Sequence, residues 1–516
     1  MSFSLLRTTA ELHRWRGRQN SAVHFVPTMG ALHRGHRQLI KAAQGLDVVT
    51  PSSVLVSVFV NPLQFGPAED FDSYPRDLEA DCEVASASGA SALWAPSVDQ
   101  VFPGGASSQF RIQAPSQLQA HLCGANRPSH FDGVVTVVAR LLALVRPELL
   151  VLGEKDWQQL VILRHLVSDL GLPVKVRGVA TVRDKDCLAC SSRNRHLTPE
   201  QRQQALILPQ LLARAAHDVA DGRSLDLREL KSAWERSGLK VEYLETVDPF
   251  NLQPLQAGRK LSLLAAAVHC GETRLIDHTF LMPRKPIVAI DGPAGAGKST
   301  VTRAFAERLG LLYLDTGAMY RALTWLIQQQ DVDEHNPVAV NKNLENLKLE
   351  LDLSQSGTQR VRINGHDVTE EIRSPEVTNS VSTVAAHGCV RKALTAQQQR
   401  MGIDGGLVAE GRDIGTAVFP DADLKVFLTA SPAERARRRA LDLENRGFPV
   451  PDLAELEAQI EARDRTDSTR EFAPLLQAED AVELISDGMS IDQVIQSLID
   501  LFRLQVPEEV WPTPAI

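Results

Sequence analysis

The sequence predicts an α/β protein with two domains in tandem. A short apolar strand at residues 23–26 leads through a glycine turn into a helix, and the same order recurs at residues 287–300. Between them, the nearly continuous apolar run 54–60 is typical of a parallel strand that is buried on both faces. Because a glycine loop of the second kind normally follows the first strand of its own sheet, a second domain begins near residue 287.

Composition limits the classes of function. The chain has 516 residues, of which 43% are hydrophobic, so it can bury several compact cores. Its net charge of −9 gives no general attraction to nucleic acid or to an anionic membrane, so any phosphate group would be bound by local sites. We find no apolar segment of about 18 residues and no signal-peptide pattern at the N-terminus. We therefore expect a cytoplasmic protein without a nucleic-acid or membrane partner.

The six cysteines are too few for a disulfide framework in a chain of this length. Cys187 and Cys190 form a single CxxC pair, but zinc would need two more ligands at suitable spacing. A redox pair would stand just ahead of a helix, whereas this one lies in a polar stretch. We expect reduced thiols, no zinc and no organic prosthetic group.

The turn at residues 27–36, PTMGALHRGH, is the first candidate for chemistry. A helix start offers free N–H groups and partial positive charge to an anion, and His33 and His36 share one face of the first turn. Two imidazoles there can donate hydrogen bonds as charge develops on a leaving pyrophosphate. A surface pair or a metal-binding pair is the alternative, although neither an HExxH motif nor an obvious third ligand accompanies it.

Three further strand ends carry polar side chains. Gln64 follows the run 54–60, where it could bind a substrate or cap the loop. An apolar strand at 149–152 ends in GEKDWQQ, with Lys155 at the strand end and Gln159 one helical turn later. A strand at 175–179 leads to CSSRN at 190–194, which is either a phosphate clamp or an ordinary loop.

Together, PTMGALHRGH, NPLQF, GEKDWQQL and SSRN resemble pantothenate synthetase, a nucleotidyltransferase of the HIGH class, over residues 23–277. The resemblance implies a Rossmann-like domain at 1–195, a small α+β C-terminal lobe at 196–277 and a homodimer formed through this half. It also implies a two-step reaction. ATP adenylates pantoate with release of pyrophosphate, and β-alanine then displaces AMP to give pantothenate.

The same resemblance assigns site residues. His36 is the implied proton donor with His33 beside it, Lys155 and Arg193 act on the phosphates, and Gln64 and Gln159 hold pantoate, Gln64 also lying near β-alanine. Cys190 stands where Met or Leu is common, a change that affects only local packing. The implied ATP contacts are Met29, Gly30, His33, His36, Gly153, Glu154, Lys155, Asp156, Val182, Cys190, Ser191, Ser192 and Arg193.

Residues 278–286, with two prolines, read as a linker, after which IVAIDGPAGAGKST at 287–300 reads as a phosphate-binding loop. Its glycines let successive N–H groups point at one anion. Lys298 reaches the outer phosphates, and the Ser299 hydroxyl can ligate magnesium. The alternative is a glycine-rich turn that fits the pattern by chance.

The rest of the chain adds strand ends and arginines. Strands at 311–314, 407–409 and 424–428 suit the same sheet, and alternating residues between 347 and 363 indicate small inserted antiparallel strands. Arginine clusters at 435–439 and 463–470, separated by glycine and prolines, suggest a mobile lid over a transferring phosphoryl group. A solvated face or a nucleic-acid patch is the alternative for the first cluster.

DTGAMYR, the insertion, AEGRDIGT and RDRTDSTR resemble cytidylate kinase over residues 287–502. The resemblance implies a P-loop nucleoside monophosphate kinase domain at 287–503, with an inserted β-rich subdomain and a lid, that makes ADP and CDP from ATP and CMP and also accepts dCMP. We expect residues 504–516 to form a tail that is disordered or loosely docked. The implied ATP contacts are Gly292, Gly295, Gly297, Lys298, Ser299 and Thr300, with Lys298 catalytic and Ser299 on Mg²⁺. The implied CMP and lid residues are Thr316, Arg321, Ser382, Arg391, Arg412, Asp413, Arg438, Arg463, Asp467 and Arg470.

The sequence therefore predicts a bifunctional enzyme that uses Mg-ATP in both halves. One alternative is that a single half is catalytic and the other is a regulatory or scaffold module. Another is an RNA-binding protein descended from a HIGH-class synthetase, which would retain RNA in a salt-sensitive way.

Overall fold

The computed structural model divides the chain into two compact units, with the boundary between Pro283 and Arg284. The first unit also includes Glu508–Val510, and the second takes the rest of the chain. The structure describes residues 3–44, 52–66, 71, 74–105, 108–258, 260–345, 347–353, 359–445, 447 and 449–514. Among these residues, no helix has the length and apolar character needed to cross a membrane.

The first unit is organised around a six-stranded parallel sheet. Its strands are β1 (Ser4–Leu6), β2 (Val23–Thr28), β3 (Ser53–Val58), β4 (Ala92–Trp94), β5 (Leu149–Gly153) and β6 (Lys175–Val179), in the order β1-β4-β3-β2-β5-β6. The helices along this part of the chain are α1 (Thr9–Arg16), α2 (Arg34–Ala43), α3 (Leu78–Ala87), α4 (Val98–Val101), α5 (Ser116–Gln119), α6 (Leu122–Asn126), α7 (His130–Val145) and α8 (Trp157–Asp169).

The strand order places the first site. From β2 the chain moves outward to β3 and β4 on one side, and then returns to build β5 and β6 on the other side. Ligands of doubly wound sheets bind where the order reverses, at the carboxyl ends of the strands. The turn after β2 and the turn after β5 meet at that point, because β2 and β5 are direct neighbours.

A small second lobe completes the first unit. It contains α9 (Pro199–Ala205), α10 (Ile207–Ala220), α11 (Leu227–Arg236) and the antiparallel strands β7 (Lys240–Val247), β8 (Ser262–Cys270) and β9 (Thr273–Leu281). Helices α9 and α10 are separate although they follow each other closely, because Pro209 has no N–H to offer the carbonyl of Ala205. Strand β9 also takes up residues 278–281, which we had expected in the linker.

The second unit contains the strands β10 (Ile287–Asp291), β11 (Leu312–Asp315), β12 (Leu349–Leu353), β13 (Gln359–Ile363), β14 (His366–Asp367), β15 (Leu407–Gly411), β16 (Leu424–Thr429) and β17 (Val482–Ile485). Five of them form a parallel sheet in the order β11-β15-β10-β16-β17, and β12-β13-β14 form the inserted antiparallel sheet. The glycine loop leaves the central strand, β10. The helices are α12 (Lys298–Leu309), α13 (Thr316–Gln329), α14 (Pro337–Lys342), α15 (Pro375–Ala386), α16 (Gly388–Met401), α17 (Pro432–Asn445), α18 (Leu453–Thr469) and α19 (Ile491–Gln505).

The C-terminal tail is better ordered than we expected. Helix α19 continues to Gln505, and Val506 after it is fully buried. Within the second unit, the indole of Trp511 donates to the carbonyl of Leu309 at 2.6 Å. Residues 504–514 are therefore docked and not loosely attached, while 515 and 516 lie outside the described residues.

Candidate active sites

The turn after β2 is fixed by hydrogen bonds to the carboxylate of Asp81. Gly30 has a φ of +91°, and a Cβ there would lie 2.9 Å from Asp81 Oδ2 and from Val58 Cγ1. Asp81, on α3 and only 2% exposed, accepts the N–H groups of Ala31 at 3.1 Å and Leu32 at 2.7 Å. The turn thus requires glycine and depends on a residue that lies in no motif of the sequence.

His33 and His36 form a closely spaced, neutral pair with tilted rings at the start of α2. His33 Nδ1 accepts the N–H of Gly35, and His36 Nδ1 accepts the N–H of His33, so each neutral ring carries its proton on Nε2. The ring centroids are 4.1 Å apart. Burial, reinforced by the charge of Lys155, lowers the pKa of His33 to about 4. Burial and the neighbouring His33 lower the pKa of His36 to about 3. In this state both residues are hydrogen-bond donors, so His36 is not a charged acid.

Gln64 is oriented by a buried asparagine. Asn61 is 2% exposed, and its Nδ2 donates to Gln64 Oε1 at 3.0 Å and to the carbonyl of Gly133 at 3.1 Å. The Gln64 amide nitrogen then lies 3.2 Å from the sulfur of Met29. The substrate-binding candidate and the predicted ATP turn are therefore in contact.

A cavity joins the remaining candidates of the first unit. Lys155, Asp156, Gln159 and Arg193 line it, together with His130, whose Nδ1 lies 2.8 Å from the carbonyl oxygen of Gln64. The second lobe supplies the far wall from its sheet. The wall residues include Tyr243, Leu263, Ala265, Arg274, Ile276, Asp277 and His278.

The loop 190–194 packs beside the histidine turn. Cys190 N–H donates to the carbonyl of Val182 at 2.9 Å, and Cys190 Cβ is 3.9 Å from the position that a Gly35 Cβ would take. Ser191 Oγ accepts the N–H of Arg193 and begins the short 3₁₀ turn Ser192–His196. Burial raises the pKa of the Cys190 thiol to about 11, so the thiol stays protonated and serves packing. All six cysteines are free.

The side chain of Glu154, an implied ATP contact, is engaged within the first unit. Its buried carboxylate accepts the N–H groups of Glu508 at 3.1 Å and Glu509 at 3.0 Å, residues that belong to the same unit. Burial raises the pKa of Glu154 to about 7, and the charge of Glu509 adds to this. Only the backbone of Glu154 remains for a ligand at the end of β5. Gly153 beside it has open space where a Cβ would lie.

The glycine loop of the second unit has the geometry of an anion cradle. Gly292 cannot carry a side chain, because a Cβ would lie 2.0 Å from the carbonyl oxygen of Leu428. Gly295 and Gly297 have φ angles of +78° and +82°. Lys298 Nζ donates to the carbonyls of Gly292 at 2.7 Å and Pro293 at 2.8 Å, across its own loop. Burial, with the charge of Arg412, lowers the Lys298 pKa to about 7. Ser299 and Thr300 follow at the exposed start of α12.

Glu410 at the end of β15 meets this loop from the neighbouring strand. Its Oε1 accepts the hydroxyls of Ser299 at 2.6 Å and Tyr313 at 2.7 Å. Its Oε2 is buried without a hydrogen-bond partner among the described residues, and burial raises its pKa. A serine hydroxyl and a carboxylate with a spare oxygen are ligands that Mg²⁺ prefers.

Most of the implied CMP-binding residues form ion pairs with one another or with a neighbouring carboxylate. Arg391 and Asp413 pair at 2.7 Å with both side chains buried, and Arg412 contacts Asp467 at 3.2 Å. Arg470 lies 3.7 Å from Asp467, and Arg321 pairs with Asp315 at 2.9 Å. Arg463, on the same helix as Asp467, is near enough to Arg412 for the two charges to interact.

The implied CMP-binding residues also include two hydroxyls, those of Thr316 and Ser382, which have different surroundings. The Thr316 hydroxyl donates to the carbonyl of Glu410 at 2.7 Å, so its proton is already engaged. Ser382 lies on α15, a helix that packs against α13 and α16. Among the described residues, no hydrogen bond links the Ser382 side chain to the ion pairs of the cluster.

Arg438, an implied lid residue, contacts the glycine loop in this structure, and its lid role stays a prediction. Its guanidinium donates to the carbonyl of Ala296 in the glycine loop at 3.3 Å and to the carbonyl of Ser486 at 2.8 Å. Arg435 likewise donates to the carbonyl of Ala294 and pairs with Asp464 of α18 at 2.6 Å. Two members of the first arginine cluster, Arg435 and Arg438, therefore support the loop through its carbonyl groups.

Comparison with known proteins decides the family. The model of pantoate-beta-alanine ligase matches residues 4–280, and that of cytidylate kinase matches residues 288–504. The bifunctional pantoate ligase/cytidylate kinase of Prochlorococcus marinus (strain MIT 9313) is 82% identical over 97% of this chain and 99% of its own length. The chain belongs to the bifunctional pantoate ligase/cytidylate kinases. Its namesake in Synechococcus sp. (strain CC9311) is 66% identical over 95% of this chain and 100% of its own length.

The pantoate ligase unit also has solved relatives. The crystal structure of pantothenate synthetase from Thermus thermophilus is 42% identical and aligns with a TM-score of 0.50, covering 54% of this chain and 100% of that one. Both resemblances drawn from the motifs are confirmed, as is the α/β fold class with a ligase domain ahead of a kinase domain.

Sequence reasoning missed several supporting residues. In the ligase unit these are Asp81 and Asn61. In the kinase unit they are Glu410, Arg435 and Asp291, which accepts the N–H groups of Ile414 at 2.8 Å and Gly415 at 2.7 Å. Burial raises the Asp291 pKa to about 6. Only Glu410 could have been found from the sequence. It is a carboxylate at the end of a predicted strand, where side chains of a parallel sheet face a ligand.

Proposed function

We propose that the ligase unit adenylates pantoate with ATP and then transfers the pantoyl group to β-alanine, giving pantothenate, AMP and pyrophosphate. The observation that carries this proposal is the neutral His33–His36 pair, which interacts electrostatically with Lys155, a residue that shares a cavity with Gln159 and Arg193. The arrangement has donors and cations where a phosphoryl group would react. Such a step needs fixed charge stabilisation more than a nucleophilic side chain.

In the first step, a pantoate carboxylate oxygen attacks the α-phosphorus of ATP, and the bond to pyrophosphate breaks. The Nε2–H groups of His33 and His36 donate to the phosphate oxygens, and Lys155 and Arg193 offset the charge that develops there. The amides of Gln64 and Gln159 hold pantoate. In the second step, the β-alanine amine attacks the acyl carbon and AMP leaves. The wall supplied by the second lobe supports exclusion of water from the acyl adenylate.

We propose that the kinase unit transfers the γ-phosphoryl group of ATP to CMP, and to dCMP. The loop N–H groups and Lys298 hold the phosphates of ATP. The acceptor phosphate and the phosphoryl group being transferred are bound by four arginines, Arg321, Arg412, Arg463 and Arg470. The buried Arg391–Asp413 pair supports cytosine as the base. Cytosine offers a ring-nitrogen acceptor beside an amino donor, which matches a guanidinium and a carboxylate, whereas uracil reverses both.

Magnesium is the ion expected with ATP in both families. Ser299 and Glu410 fit it in the kinase unit, since Glu410 has one oxygen without a partner among the described residues. When bound, the ion would neutralise charge on the β- and γ-phosphates. A cytoplasmic location and a homodimer formed through the ligase half stay predictions.

The two proposals are tested with the full chain. Pantoate should promote exchange of labelled pyrophosphate into ATP without β-alanine, because the adenylate forms before the amine is used. CMP should promote ADP formation in a separate assay. A chain that makes pantothenate but shows no pantoate-dependent exchange would contradict the adenylate route, and a chain that phosphorylates other nucleotides in preference to CMP would contradict the base assignment.

A further inference from the structure

Three neighbouring side chains of the kinase unit carry buried polar groups that the reaction described above does not use. They are the side-chain amide of Gln398, the hydroxyl of Tyr320 and the Nε of Arg391, and each lacks a hydrogen-bond partner among the residues that the structure describes. Gln398 is fully buried, and neither its oxygen nor its nitrogen is paired. A buried amide left unpaired is costly, so a polar side chain at such a position normally acquires a partner in the working state.

These groups lie in one row that ends at the proposed base site. Gln398 and Arg391 are seven residues apart on α16, two turns along the same face, and both are buried. Burial raises the pKa of the Tyr320 hydroxyl on α13 and the nearby Gln398 amide partly offsets this rise, although the two side chains do not meet full hydrogen-bond geometry. The Arg391 guanidinium lies over the Tyr320 ring, 5.4 Å from its centroid, and pairs with Asp413.

We propose that Gln398 and Tyr320 are positioning residues for base recognition. With the nucleotide bound, the Gln398 amide pairs with the Tyr320 hydroxyl and fixes the ring, and the ring supports the Arg391 guanidinium in the direction that meets the base edge. A guanidinium is a rigid fork of donors, so a change in its direction alters which base edge it fits. This inference rests on the proposed assignment of Arg391 and Asp413 to the cytosine base.

The test is the ratio of kcat/KM for CMP to kcat/KM for UMP, measured on the full chain. Gln398→Leu removes both polar atoms at similar volume, and Tyr320→Phe removes only the hydroxyl. Each should lower the ratio about tenfold, the effect of one neutral hydrogen bond, through a higher KM for CMP and an unchanged KM for ATP. The double variant should lose no more than either single one, because the two residues act through each other.

Gln397→Leu is the matched control, since Gln397 precedes Gln398 on the same helix and its amide donates instead to the carbonyl of Leu349. It should leave the ratio unchanged. A purely structural role of Gln398 would lower the melting temperature and leave the ratio within twofold of the parent, which would overturn the inference. If Gln398→Leu does not fold, the ratio in Tyr320→Phe decides alone: a loss supports the inference and an unchanged ratio overturns it.

Arg391→Met separates this inference from the function on which it rests. If the ratio falls in Arg391→Met but not in Gln398→Leu or Tyr320→Phe, the base site stands and the positioning role is wrong. If Arg391→Met also keeps the parent ratio, Arg391 does not read the base. The proposed base site then fails together with the inference.

Discussion

The Ser299 hydroxyl donates to Oε1 of Glu410 at 2.6 Å and so joins the start of α12 to the end of strand β15. The two residues come from different parts of the chain, and they meet because β15 is the direct neighbour of the strand that carries the glycine loop. Tyr313 holds the same carboxylate oxygen from the other neighbour of β15. The second oxygen of Glu410 has no hydrogen-bond partner in the part of the chain that the structure describes.

Glu410→Gln should lower the rate of CDP formation at least 100-fold and require more Mg²⁺ for half-maximal rate, because the neutral amide binds a cation far less well. Tyr313→Phe is the control, since it removes a donor to Glu410 and keeps the carboxylate. The rate should be followed as ADP release over a magnesium titration. A Glu410→Gln rate within threefold of the parent would remove Glu410 from the site.

The pH dependence of the ligase should show no histidine titration near pH 6.5. Burial lowers the pKa values of His33 and His36 to about 4 and 3, so both imidazoles stay neutral from pH 6 to 8. The measurement is pantoate-dependent pyrophosphate exchange across this range. His36→Ala should lower it about 100-fold, whereas His36→Gln, which keeps an N–H donor, should lose less. An inflection near pH 6.5 that disappears in His36→Gln would contradict the neutral-donor role.

Gly30→Ala should inactivate the ligase and destabilise its unit. The added Cβ would lie 2.9 Å from the buried Asp81 carboxylate, at a φ of +91° that already disfavours alanine. Gly171→Ala is the control, because Gly171 has a φ of +59° and open space around its Cβ position, so only the backbone strain remains. Thermal melts and exchange rates of both variants decide the point. Equal effects in the two would show that the contact with Asp81 is unimportant.

The stability of the ligase unit should fall as pH rises from about 4.5 to 7. The pKa of Glu154 is raised to about 7 from an ordinary 4.5, so the folded protein binds more protons than the unfolded one in this window. Glu154→Gln removes that charge, and its melting temperature should depend less on pH and exceed the parent's at pH 8. Glu235→Gln, at an exposed carboxylate, should behave like the parent. Identical pH slopes in the parent and Glu154→Gln would refute the assignment.

The apolar core strands could be read from the sequence, and the edge strands could not. Strands β3, β5, β10 and β16 are nearly continuous runs of buried apolar residues, which is the signature of parallel strands covered on both faces. In contrast, β17 has mostly exposed residues and β1 has three residues in all. Neither has a periodicity to detect, because pairing to an existing sheet edge creates them.

The site was predictable where function needs a local motif. The glycine loop and the histidine turn are contiguous in sequence, so their residues could be named. Asp81 acts on the histidine turn from a helix far along the chain, whereas Asn61 orients Gln64 within the NPLQF motif that both share. Only the folded chain shows that these buried polar groups meet backbone N–H groups or an amide. The side chains of Glu154 and Arg438 contact backbone groups that the motifs did not predict, and their implied nucleotide roles stay predictions.

The central claim, two independent active sites on one chain, is tested by chromatography of the nucleotides formed from Mg-ATP. The parent should give ADP and CDP with CMP, and AMP with pantoate plus β-alanine. Lys298→Ala should lose CDP and keep AMP, since Lys298 serves only the glycine loop, and His36→Ala should do the reverse. A single substitution that abolishes both products, or a parent that makes CDP but no AMP, would contradict the account.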